Sequence, residues 1–296
     1  MNKKAYDVIF IGNYTKDTVV SPSGTRYVDG GGFNYGAHTA VMMGLKVAAI
    51  TRLAKEDIHV VDALTNLGVD VFPFYSPEST LMHLFYPTTN VDERVLTVKS
   101  VAGSFTPAQV REAEAKVFLL NASTRGEINL EVIKEIRKKD TLICADIQGF
   151  IRVIAPDGKL ENKEWPEKRE VLSVVDVLKT DAVEGESLTG ETDIRVQARM
   201  LADLGPKEIV ITNQKGVLVY AEGQYHEALF SFKKLVGRSG RGDTCIASYM
   251  CKRLSASPKE STIWAAAVTS LKMEAEGPIK IKIGEVEDHI QRNYNL

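Results

Sequence analysis

Cysteine is scarce in this sequence, with Cys144, Cys245 and Cys251 the only three among 296 residues. An odd number at these spacings fits neither a disulfide framework nor a metal-ligand pattern. The simplest reading is three small buried apolar groups in a reducing, cytoplasmic setting. Long apolar runs are also missing. Residues 8–11 form a short one behind Lys3 and Lys4, but it stops at Gly12, well short of a secretory core or a membrane span. Neither sign of charge prevails: 37 basic residues against 39 acidic ones leave a formal net charge of −2. That balance argues against nucleic acid as a partner, yet it is compatible with a local cationic pocket. Several catalytic signatures are absent. There is no G-x-x-x-x-G-K-[ST], which excludes a P-loop as a motif, and neither G-x-S-x-G nor H-E-x-x-H occurs. The five histidines, His38, His59, His83, His226 and His289, form no short-range cluster.

What the sequence does hold is an alternation of strand-like and helix-like segments. Apolar β-branched runs at residues 6–12, 47–51, 117–121, 142–146, 174–179 and 208–212 read as buried strands. Amphipathic stretches at 58–67, 127–137 and 195–204 lie between them, and 243–254, 258–276 and 284–293 make the last third helical. Such alternation predicts right-handed crossovers and a mostly parallel sheet with helices on both faces. Ligands then belong beyond the carboxyl ends of the strands. Two segments break the rhythm. Residues 15–29 carry the turn Ser21-Pro22-Ser23-Gly24, and residues 80–99 read as two short strands around Thr88-Thr89-Asn90. Neither piece could bury a core alone; together they predict a small β lid on one α/β domain spanning 1–296.

Two glycine clusters are candidate ligand elements. Gly237-Arg238-Ser239-Gly240-Arg241-Gly242-Asp243-Thr244 directly precedes an apolar helical run. Glycines there let backbone amides turn inward, and the helix adds unpaired N–H groups and the positive end of its dipole; together they cradle a phosphate. Asp243 stands where it can take a proton from an attacking hydroxyl or, more simply, cap the helix. The earlier cluster, Gly30-Gly31-Gly32-Phe33-Asn34-Tyr35-Gly36, permits close approach of a ligand, with Asn34 offering donor and acceptor to hydroxyls. Its G-x-G-x-x-x-G spacing fits a dinucleotide fingerprint poorly, because the first strand ends at Gly12. Two acidic strings follow predicted strands. In Asp181-Ala182-Val183-Glu184-Gly185-Glu186 the carboxylates either hold Mg²⁺ beside phosphates or start a helix. Asp146, Gln148 and Arg152 together suit a polyhydroxy compound.

The order of these motifs resembles the PfkB (ribokinase-like) carbohydrate kinases over essentially the whole chain. The most specific element is the late G-x-G-D-T, here Gly240-Arg241-Gly242-Asp243-Thr244. The resemblance implies a central α/β sheet with a small β lid, and transfer of the ATP γ-phosphate to a hydroxyl. By position it implies an anion hole of Gly240, Arg241 and Gly242, with Asp243 as the base. Asp17, Gly31, Gly32 and Asn34 fall on the substrate side, joined by Asp146, Gln148 and Arg152. Lys179, Thr212, Gly216 and Gly277 fall on the nucleotide side, where residues 265–270 would help close an adenine pocket. Glu184 resembles the glutamate of the family's N-x-x-E motif, which organises Mg²⁺ and phosphate. The departures are that Arg241 stands where small residues are usual, Asp181 replaces the motif's asparagine, and Gly237 replaces an aspartate near the usual monovalent-cation site. The 237–243 version, with Asp146-x-Gln148-Gly149-Phe150-x-Arg152, is most similar to an inositol-kinase-like branch. The implied partners are ATP with Mg²⁺ and a small sugar, polyol or cyclitol such as myo-inositol, without a membrane, and with a homodimer through the lid as a further expectation. Two rivals are an NADP-linked oxidoreductase, using residues 30–36 with Arg52 at a 2′-phosphate, and a non-catalytic sugar- or nucleotide-binding protein on the same fold.

Overall fold

Two sheets and a hairpin account for the fifteen strands of the computed structural model, which describes residues 5–88 and 93–294. The first five strands are β1 (Ala5–Ile11), β2 (Thr15–Ser21), β3 (Gly24–Asp29), β4 (Val47–Ala54) and β5 (Asp70–Ser76). Next come β6 (Thr80–Phe85), β7 (Val95–Ser100), β8 (Glu114–Leu120), β9 (Leu142–Asp146) and β10 (Arg152–Ile154). The last are β11 (Leu160–Asn162), β12 (Val177–Asp181), β13 (Glu208–Thr212), β14 (Gly216–Ala221) and β15 (Gln224–Leu229). Nine of them form the central sheet in the order β15-β14-β13-β12-β9-β8-β1-β4-β5. From β13 to β5 every pairing is parallel, while β14 and β15 close one edge antiparallel. All seven parallel strands therefore present their carboxyl ends on one side.

The inner strands are apolar almost throughout because helices cover both faces. Along β1, Val8 and Phe10 enter one core while Ile9 and Ile11 enter the other, and β8 repeats this with Val117 and Leu119 against Phe118 and Leu120. The first core includes side chains from the helices Gly32–Met42, Arg241–Arg253 and Pro258–Met273. The second includes side chains from Leu130–Arg137 and Ile194–Ala202. Local chemistry starts these helices where the sequence suggests. Asn129 accepts from the Val132 amide, and Ser257 forms a capping box with Glu260 ahead of Pro258.

The lid sheet runs β3-β2-β6-β7, with β2 parallel to β6. Its own core of Val19, Leu84 and Tyr86 is small, so it leans on the main domain. Arg26 on β3 pairs with Glu276 at 3.1 Å, and the Tyr14 hydroxyl donates to Asp29 Oδ1 at 2.5 Å. The lid strands fall within 15–29 and 80–100, where the alternation of strands and helices is expected to break, while Thr89 and Asn90 of the expected turn lie outside the described residues. All three cysteines are free and buried. Among the described residues, no helix is long and apolar enough to cross a membrane.

Candidate active site

The candidate side chains gather at the carboxyl edge of the parallel strands, where sheet topology places ligands. Thr212 ends β13, Asp181 ends β12, Asp146 ends β9, Asn121 follows β8 and Asn13 follows β1. The helix Arg241–Arg253 opens at the same edge, with Gly240 as its N-cap and Asp243 as its third residue. The two glycine clusters meet there. A Cβ on Gly32 would lie 2.4 Å from Asp243 Oδ1 and 2.8 Å from the Asn121 Cβ, so a residue with a side chain does not fit. A Cβ on Gly242 would fall 2.6 Å from Lys179 Nζ. Glycine at 242 thus lets an ammonium lie directly against the turn that opens this helix.

Five cations, Arg94, Arg152, Lys179, Arg238 and Arg241, line the cleft around this loop, against two acids, Asp181 and Asp243. Gln148, Thr212, Gly240 and Gly242 complete its wall. Behind it, Lys179 Nζ lies 3.0 Å from Asp146 Oδ2, and Arg152 donates to Glu184 Oε1 at 2.9 Å. Burial pulls the Lys179 pKa down, but Asp146, Glu184 and Asp181 outweigh it and hold the ammonium above its ordinary range. Burial pushes the Asp243 carboxyl above the ordinary carboxylate range, with Lys179 and Arg152 opposing. A carboxylate raised in this way is a better base for a hydroxyl proton than an exposed one.

A second set of polar groups lies between lid and sheet. Asp17 on β2 is buried, and its Oδ1 has no hydrogen-bond partner among the described residues. Burial pushes its pKa up to about 7, with Asp243 and Asp29 adding to the rise and the Thr15 hydroxyl and Arg94 opposing it. The Asn13 Oδ1, both amide atoms of Asn121 and Asp243 Oδ1 share that unpartnered, buried condition. Unsatisfied polar atoms are costly in a folded chain, and a cluster of them suits a ligand rich in hydroxyls. Glu127 sets their stage: its Oε1 accepts from the Ser123 and Thr124 amides at 2.9 Å, and its Oε2 accepts from the Asn13 amide. Sequence reading passed over Asn13 and Asn121. Their positions just beyond two parallel strands were the available signal.

Several expected residues have other duties. Asn34 Nδ2 donates to the Asp29 carbonyl at 3.0 Å, which ties the helix start to the lid. Asp146 is fully buried behind Lys179 and is not part of the cleft wall. Glu184 Oε1 accepts from Arg152 and Oε2 from the Asp181 amide, in a capping box with Asp181. Its carboxylate is committed to Arg152 and the helix start, and no group of three metal-ligating side chains occurs among the described residues. Of the expected nucleotide residues, Lys179 and Thr212 line the cleft, whereas Gly216 and Gly277 do not. Gly216 sits in β14 opposite Leu229, and residues 265–270 are wholly buried within their helix packing. The dinucleotide alternative fails on context. Residues 30–36 follow the lid strand β3, and Arg52 Nε donates to the Ala102 carbonyl.

The sequence profile described as pfkB family carbohydrate kinase matches residues 5–283. A solved pyrophosphate-dependent kinase in the ribokinase family, complexed with a pyrophosphate analogue and myo-inositol, is 34% identical with a TM-score of 0.88, covering 95% of this chain and 99% of the other. An Arabidopsis thaliana ribokinase complexed with ribose and ATP shares the fold at 18% identity, with a TM-score of 0.78 over 97% of this chain and 99% of the other. A cytidine kinase of Thermococcus kodakarensis is 26% identical over 272 residues, which cover 87% of this chain and 92% of that protein.

Proposed function

The chain belongs to the pfkB family of carbohydrate kinases, and from that premise we propose that it transfers a phosphoryl group from inorganic pyrophosphate to a hydroxyl of myo-inositol or a related cyclitol. The carrying observation is the cleft wall, where five cations converge on one anion loop. Pyrophosphate is charged along its whole length and suits such a wall, whereas ATP also needs a slot for its base. Of the residues expected on the nucleotide side, Lys179 and Thr212 line the cleft while Gly216 and Gly277 lie off it, and 265–270, expected to close an adenine pocket, are buried in the core. Solved relatives 33–34% identical that use pyrophosphate support the same donor. ATP, the donor expected from sequence, is the comparison against which this reading is tested.

In the proposed reaction the acceptor lies between the lid and the Gly31-Gly32 turn, its hydroxyls facing Asp17, Asn13 and Asn121. One hydroxyl faces Asp243. As its oxygen bonds to the terminal phosphorus, Asp243 takes the hydroxyl proton, the bridging P–O bond breaks, and orthophosphate leaves. Amides at the helix start, with Lys179 and Arg241, stabilise charge on the transferring group. Magnesium suits this donor as a counter-ion held mainly by phosphate oxygens and water.

The test is initial-rate assay of inositol phosphate formation across a panel of donors and acceptors. Turnover is expected with pyrophosphate and myo-inositol, and slower transfer from ATP. Faster transfer from ATP would return the donor to a nucleotide, and the absence of transfer to any cyclitol would remove the acceptor.

A further inference from the structure

Lys272, next to last in the helix Pro258–Met273, is 2% exposed, although it carries a charge. A buried ammonium needs partners. Lys272 Nζ donates to the carbonyl oxygens of Gly237, at 2.9 Å, and of Ser239, and it lies 5.5 Å from the centre of the Tyr35 ring. The same ring lies against Gly240, where a Cβ would come within 2.2 Å of it. Residues 237–240 are thus gripped from below by one lysine and one tyrosine.

Peptide geometry gives this grip a consequence. In a trans peptide the carbonyl of one residue and the amide of the next point in opposite directions. Holding the Gly237 and Ser239 carbonyls toward Lys272 turns the Arg238 and Gly240 amides the other way, and both residues line the cleft. We propose that Lys272 is a positioning residue, a monovalent cation tethered to the chain, which gathers these carbonyls and so aims the anion-loop amides at the phosphoryl donor. Carbonyl oxygens are also the ligands of free potassium, so anion binding in this chain needs no added alkali ion. Burial pulls the Lys272 pKa down to about 8, with Glu276 and Asp243 opposing, which keeps the ammonium charged at neutral pH.

The inference rests on the donor reading for its probe. Calorimetric titration of the full chain with pyrophosphate, at constant ionic strength in tetramethylammonium chloride, tests it. Wild-type affinity should not change when potassium or ammonium replaces tetramethylammonium. Lys272→Ala should bind at least roughly tenfold more weakly, and ammonium or methylammonium should recover much of that loss in the space left by the side chain. Lys272→Met should show the loss without recovery. Wild-type affinity in either folded variant, or a loss that small cations do not mend in Lys272→Ala, overturns the proposal. If neither variant folds, a potassium-dependent wild-type affinity overturns it and an independent one upholds it. A wild type that binds ATP but not pyrophosphate removes the donor reading, and the same titrations with ATP then decide about Lys272.

Discussion

Asp243 has two demands on it that conflict. As the proposed base it must be ionised when an acceptor arrives, yet its burial favours the protonated form. Lys179 and Arg152 resolve the conflict by opposing that rise, and Gly242 is what allows Lys179 so close. Removing the carboxylate should therefore affect chemistry far more than binding. Asp243→Asn is expected to lower kcat by about 10²–10⁴-fold, because a positioned base contributes on that order. The KM for the donor should stay near that of the wild type, since the loop amides, Lys179 and Arg241 remain. Steady-state kinetics decide, and a variant with nearly normal turnover would remove the base assignment.

The lid sends one residue to each half of the site. Asp17, on β2, faces the place proposed for the acceptor, while Arg94, just before β7, joins the cations of the cleft proposed for the donor. Arg94→Ala should cost about 1–3 kcal/mol in kcat/KM for the donor, the usual worth of a charge-assisted contact, and Arg94→Lys should recover part of it. An unchanged kcat/KM in the alanine variant would show that Arg94 only borders the cleft. Arg94 sits in no motif, and that explains which elements could be read in advance. β9 and β13 are legible residue for residue because each is a short apolar run buried on both faces. The run at 174–179 misled by three residues: Val174 and Val175 fill the second core from a turn, while the strand continues into polar Thr180 and Asp181. β5, at the sheet edge and only half-buried, with Pro73 in its middle, carries too weak a pattern. Both glycine clusters were legible because their chemistry is local. Asn13, Asn121, Arg94 and Lys272 acquire meaning only from strands and helices that meet across the fold.

At the scale of the molecule, the site leaves a mark on stability. Burial raises Asp17 from 3.8 to about 7, and raises Glu127 from 4.5 to about 7 against the amides that bind it. Below the lower values both carboxyls are protonated in folded and unfolded chains alike. Between those values and about 7 the unfolded chain has released its protons while the folded chain keeps them, so stability falls as pH rises through this window. Above it, the folded protein holds carboxylates in places that disfavour them, which is a cost borne for binding. Asp17→Asn removes one of these acids while keeping its size. The variant should gain on the wild type as pH rises from 5 to 8, by about 1–2 kcal/mol or roughly 2–6 °C in Tm, and it should lose acceptor affinity. Thermal melts at the two pH values measure the gap directly. A gap that stays constant would mean that Asp17 titrates near its ordinary value and is already ionised at pH 5, so that the acceptor meets a charge that costs the empty fold nothing.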